Sequence, residues 1–155
     1  MKGNAQIIEW LNKLLAEELT AINQYFVHAE MCEDWNYAPL SQEIKARSIS
    51  EMKHAETLIE RILFLEGKPI VSNLNEIHIG SDVPAMHAND VNMEYAAVKD
   101  YNEAIKLAAD LGDHHTKTIL QAILKDEEDH VDDLEAQLDQ IEQMGVQNYL
   151  AQQIR

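Results

Sequence analysis

The chain has one cysteine, three prolines and five glycines in 155 residues. A single cysteine, Cys32, excludes an intrachain disulfide and any zinc site built on several thiolates. What it leaves is a small, buried apolar residue. So few turn-forming residues favour long helices over a β fold with many turns. Basic residues are scarce too, with 12 Lys and Arg against 28 Asp and Glu and a formal net charge of −16. Sequence-independent DNA binding needs clustered Lys and Arg, so the composition argues against nucleic acid as a partner. No run approaches the roughly 18 apolar residues of a membrane helix, and Met1-Lys2-Gly3-Asn4 opens no apolar signal core. The expectation is a cytoplasmic chain with no membrane partner. Apolar residues still make up 46% of it, enough for one core in a single domain over residues 1–155.

Four long segments carry the 3.6-residue helical period. The first runs from about Ala5 to Asp34, with Ile8, Leu11, Leu15, Ile22 and Tyr25 on one stripe. The second starts near Pro39 and ends at Gly67, before Pro69, with Ile44, Ala55, Leu58, Ile62 and Leu65 as its stripe. The third starts between Ser81 and Pro84 and fades at Leu111-Gly112; the fourth starts near Asp113 and ends at Gly145. Val146 to Arg155 suits a short fifth helix. The first and third links are a few residues long and imply antiparallel hairpins. The middle link, Gly67 to about Asp82, can span about 50 Å when extended, enough to run the length of the bundle. The expected fold is all-α: a ferritin-like four-helix bundle with a long crossover between its second and third helices.

Charged residues interrupt the apolar stripes. Glu18 falls in the first, Glu51 and His54 in the second, Glu94 in the third, Glu127 and His130 in the fourth. Four buried carboxylates in one core require something cationic to neutralise them. One Glu-x-x-His is weak evidence, but the spacing is specific. Glu18 to Glu94, Glu51 to Glu127, His54 to His130 and Tyr25 to Tyr101 are each 76 residues apart. The first hairpin therefore repeats as the second with every ligand in register, and two half-sites related by a pseudo-twofold predict two metals. Glu and His at i and i+3 share a helix face and can reach one centre. Oxygen and nitrogen donors without thiolate suit iron or manganese better than a closed structural zinc site. Two divalent ions would balance the four carboxylates.

At these residues the chain resembles the bacterioferritins. The stretches that carry the likeness are Glu18-Leu19-Thr20-Ala21-Ile22-Asn23-Gln24-Tyr25-Phe26, Glu51-Met52-Lys53-His54-Ala55, Arg61-Ile62-Leu63-Phe64-Leu65-Glu66-Gly67 and Asp126-Glu127-Glu128-Asp129-His130. The resemblance implies a ferroxidase that oxidises Fe(II) with oxygen or hydrogen peroxide and stores ferric mineral in a homo-oligomeric 24-mer cage built from dimers. It implies two iron ions per subunit: Glu18 and His54 on one, Glu94 and His130 on the other, with Glu51 and Glu127 bridging both. Tyr25 would be an electron donor beside them. It also implies a haem b shared between two subunits, with Met52 as axial ligand and Leu19, Ile22, Asn23 and Phe26 around it. A small ferredoxin would supply electrons for iron release.

The chain departs from some relatives at Ala46 and Ser50, where a His and an Asp bind iron on the cavity surface, so that accessory site is expected to be absent. Ala151 replaces an amide residue of a fourfold channel, although Asn148 is kept. Asp34, Glu66, Asp132 and Asp139 match acidic pore positions or are plain surface charge. His28, His78, His87, His114 and His115 lack a Glu at −3 and read as surface, interface or capping residues. Two other classes fit the same motifs. One is a non-storage di-iron or di-manganese enzyme such as an oxygenase, peroxidase or catalase. The other is a non-catalytic haem-binding or structural assembly.

Overall fold

The computed structural model describes residues 1–154, and these form five helices: α1 (Ala5–Asp34), α2 (Ala38–Phe64), α3 (Val83–Asp110), α4 (His114–Met144) and α5 (Val146–Ala151). Three of the starts have a side-chain cap. Asn4 accepts from the Gln6 amide at 2.8 Å, Asp82 from Ala85 at 2.9 Å and Asp113 from Thr116 at 3.1 Å, each satisfying an amide that the first turn would leave free. α2 has no such cap and relies on Pro39 in its first turn.

The second helix stops three residues earlier than its glycine suggests. Glu66, not Gly67, adopts the left-handed conformation, with φ of 62°. Gly67 is needed for closeness instead: a Cβ there would lie 2.7 Å from Cγ2 of Ile8 on α1.

The apolar core comes in two blocks. One holds Leu11, Leu15, Leu58, Ile62, Tyr101 and Ile123; the other holds Tyr25, Cys32, Leu40, Ile44, Met86 and Tyr149. Along every long helix the switch from one block to the other happens at a glutamate: Glu18, Glu51, Glu94 or Glu127. The order in which each helix visits the blocks fixes its direction. α2 and α3 both run from the Cys32 end toward the Leu11 end, so they are parallel and joined by the crossover, while the two hairpins are antiparallel.

Side chains of α1 hold the crossover along its length. Asn12 accepts from the Ile70 amide (2.9 Å), Thr20 Oγ1 from Asn75 (2.8 Å), Gln24 Oε1 from His78 (3.1 Å) and His28 Nε2 from Gly80 (2.9 Å). Two of the histidines expected at the surface, in an interface or as caps are instead buried inside the bundle. His28 is fully buried, and its Nδ1 donates to Asp90, which also accepts from Gln24 Nε2 at 2.8 Å. His87 is buried too, against the Tyr149 hydroxyl at 3.1 Å, and burial followed by the Arg47 charge lowers its pKa to about 4. Neither residue can be told from a surface histidine by helical spacing alone, because its partners lie on other helices. His78, His114 and His115 are exposed, as are Asp34, Glu66, Asp132 and Asp139. Cys32 is buried and free.

Candidate metal centre

The glutamate layer that divides the core gathers all six predicted ligands. They fall into two overlapping groups, Glu18, Glu51, His54 and Glu127 in one and Glu51, Glu94, Glu127 and His130 in the other, each with ligand atoms within 4.8 Å of one another. Glu51 and Glu127 belong to both. The four carboxylates are at most 1% exposed, so the polypeptide has carried them out of water together.

The directions of the polar atoms say what they are for. His54 Nδ1 lies 3.2 Å from Glu127, 3.5 Å from Glu18 and 3.8 Å from Glu51. His130 Nδ1 lies 3.0 Å from Glu51 and 3.5 Å from both Glu94 and Glu127. Yet both Nδ1 atoms, both Glu51 oxygens and one oxygen each of Glu18, Glu94 and Glu127 have no hydrogen-bond partner. They are close but not aligned with one another, as donors aimed at common points are. Buried polar atoms are nearly always paired, and seven unpaired ones in a single layer call for cations between them. The residues therefore fit a pair of metal ions.

Proton affinities tell the same story. Burial, then repulsion from Glu51, holds the Glu18 carboxyl well above its usual range, and burial and Glu18 do the same to Glu127; burial and Glu127 raise Glu51. Burial alone would depress both histidines, but the adjacent carboxylates outweigh it. His54 rises far above an ordinary imidazole and His130 to about 9.

One feature of the surroundings repeats with the pseudo-twofold and one does not. The Tyr25 hydroxyl donates to Glu94 Oε1, and the Tyr101 hydroxyl to Glu18 Oε1, each at 2.5 Å. Each tyrosine thus crosses between α1 and α3 and leaves the other oxygen of its glutamate facing the centre. His54 Nε2 is held by Asp126 at 2.8 Å, which orients its Nδ1 inward. The residue 76 positions before Asp126 is Ser50, so the two half-sites differ here. Asp126 carries no sequence signal of this role beyond its place beside Glu127. A cavity of about 460 Å³ between α1, α3 and the crossover reaches the layer, lined by Glu18, Glu51, Glu94 and Glu127 inside and by Asn75, Glu76 and His78 at the crossover.

The residues expected around haem lie elsewhere, on the outer side of the α1–α2 hairpin. Met52 is 46% exposed and Phe26 52%; Asn23 is exposed, while Leu19 and Ile22 are partly buried against the core. Exposed Val27 and Ile49 extend the apolar surface of these two helices. Ala46, Asn148 and Ala151 are also exposed and Ser50 partly so. No helix among the described residues is long and apolar enough to cross a membrane.

Residues 8–144 match the Ferritin family, described as a ferritin-like domain. The chain is 42% identical over 149 residues to the bacterioferritin of Rhodobacter capsulatus, covering 96% of this chain and 92% of that one. It is 38% identical over 152 residues to the bacterioferritin of Mycolicibacterium paratuberculosis, covering 98% and 96%. A bacterial ferritin of Synechocystis is 41% identical over 155 residues, with 99% of both chains covered.

Proposed function

The chain belongs to the bacterioferritin family of ferritin-like proteins, and from that premise we propose that it stores iron, oxidising Fe(II) to Fe(III) at the buried centre. The observation that carries the reading is the pair of overlapping ligand groups with Glu51 and Glu127 in common and their buried atoms unpaired. Two such groups hold two Fe(II) as substrate. Glu18 and His54 serve one, Glu94 and His130 the other, and the shared glutamates touch both. Hard carboxylate oxygens favour the ferric product over Fe(II), which lowers the cost of oxidation. Asp126 keeps His54 oriented, and the Tyr25 and Tyr101 hydroxyls donate to Glu94 and Glu18. Tyr25, buried beside Glu94, is placed to act as an electron donor. The cavity beside the crossover admits a small oxidant, oxygen or hydrogen peroxide, to the layer.

Residues 1–155 act as one domain, and 24 copies form a cytoplasmic cage built from dimers. The exposed apolar face of α1 and α2 suits a dimer contact. On it, Met52 presents an exposed thioether and Phe26 an exposed ring, a donor and an apolar contact that fit a haem b shared with a second copy. Methionine-ligated haem supplies one-electron transfer, here for reducing and releasing stored iron with a small ferredoxin as donor. Adding two Fe(II) per subunit in air should give a rapid ferric absorbance rise, followed by a slower mineral phase. A Glu18→Ala protein that keeps the whole rapid phase contradicts the site. A small oligomer that forms no mineral contradicts storage and favours a di-metal enzyme on the same bundle.

A further inference from the structure

Reducing dioxygen to two waters takes four electrons, and two Fe(II) supply two. Without another donor the product is hydrogen peroxide. A buried phenol can give an electron when its proton has a base to go to. The centre has two such pairs, not one. Tyr101 is fully buried, and its hydroxyl lies 2.5 Å from Glu18 Oε1, as that of Tyr25 lies 2.5 Å from Glu94 Oε1. Each pair serves one ligand group, and in each the glutamate's Oε2 stays unpartnered inside the layer. The two rings differ in one respect. The Arg47 guanidinium lies over Tyr25 at 5.5 Å, whereas the position 76 residues on is Ile123, part of the apolar block around Tyr101. A positive charge over a ring opposes removal of an electron from it. Tyr101 is spared that penalty.

We propose that Tyr101 is a second redox-active tyrosine, giving one electron to dioxygen and passing its phenolic proton through Glu18 to the reduced oxygen, while Tyr25 does the same through Glu94. This rests on the Fe(II)-oxidising reading of the centre. The step balances as O2 + 2 Fe(II) + 2 Tyr–OH + 2 H+ giving 2 H2O + 2 Fe(III) + 2 Tyr–O•. The O–O bond and two phenolic O–H bonds break and four water O–H bonds form. Iron and both phenols are oxidised and dioxygen is reduced. Each phenoxyl is restored by one further Fe(II) and one proton.

The experiment loads the assembled protein with two Fe(II) per subunit and adds dioxygen. It reads the radical by freeze-quench electron paramagnetic resonance and the released peroxide by a coupled peroxidase assay. Tyr101→Phe keeps the ring and removes only the hydroxyl. The wild type should show a tyrosyl radical and little peroxide. Tyr25→Phe should keep a radical that disappears in Tyr25→Phe/Tyr101→Phe, and the double variant should release one peroxide per pair of Fe(II). Co(II) titration of Tyr101→Phe should still bind two ions per subunit. The proposal is overturned if Tyr25→Phe alone abolishes the radical, if Tyr101→Phe matches the wild type, or if Tyr101→Phe loses Co(II), which would make Tyr101 a scaffold. A wild type that does not oxidise Fe(II) overturns the reading of the centre itself.

Discussion

Replacing Glu51 by glutamine should make the metal-free protein more stable and the metal-loaded protein less so. Glu51 is fully buried, and neither of its oxygens has a hydrogen-bond partner. Burial, then repulsion from Glu127, disfavours its ionised form. Its folded pKa is therefore raised, and ionisation at pH 7 opposes folding, more so as pH rises above the unfolded carboxyl value. Glutamine keeps the shape and removes the charge. Relief of one unpaired buried polar group is worth about 1–3 kcal/mol. For a chain of this length each kcal/mol moves Tm by about 2–4 °C, so the metal-free variant should melt roughly 2–12 °C higher. Metal reverses the order. A ligand at 100 times its Kd stabilises the folded state by about 2.7 kcal/mol per site. Because Glu51 belongs to both ligand groups, Glu51→Gln should lose most of the gain at both. Glu18 belongs to one group, so Glu18→Gln should keep one Co(II). Calorimetry in chelator and in excess Co(II), with Co(II) stoichiometry from the visible spectrum, reads all of this. A metal-free Glu51→Gln protein that melts lower than wild type, or one that keeps the full metal-induced shift, refutes the reasoning.

Other expectations follow from the same geometry. Met52→Leu should abolish the Soret band of purified protein while leaving Co(II) binding at two per subunit; a surviving band refutes methionine ligation. His87 has its pKa lowered to about 4, so its neutral form stabilises the fold fully above pH 6.5, and that stability is lost as pH falls from 6.5 toward 4. The loss is about 3 kcal/mol at 1.36 kcal/mol per unit, and urea unfolding of His87→Gln should lack this part of the acid slope. Gln24→Leu should cost about 1–3 kcal/mol by removing one of Asp90's two side-chain partners and stranding the His78 amide, and hydrogen exchange at His78 should quicken; unchanged exchange there contradicts the crossover clamp.

The ligands were legible because they break a pattern. A glutamate in an apolar stripe is conspicuous, and four glutamates and two histidines repeating at one interval leave little room for chance. The parallel α2 and α3 followed from the length of the crossover, and the start of the fourth helix from Asp113. Partners on different helices were not legible. Helical periodicity orders residues along one helix and is silent on which residue of α3 faces which residue of α1. Tyr25 meets Glu94 and Tyr101 meets Glu18 only once the hairpins are packed. His28 and His87 escaped for the same reason: their burial is decided by Asp90 and Gly80, and by Tyr149. Gly67 misled because a glycine after a helix most often serves the left-handed turn. Here Glu66 takes that conformation, and the glycine is needed for contact with Ile8.

The central claim is that two irons share one carboxylate layer. Anomalous diffraction at the iron edge from crystals soaked in Fe(II) tests it most directly. Two iron peaks per subunit are expected, about 3.5–4 Å apart as in other two-metal sites, with Glu51 and Glu127 contacting both. A single peak, or iron found only on the surface with the layer empty, would contradict it.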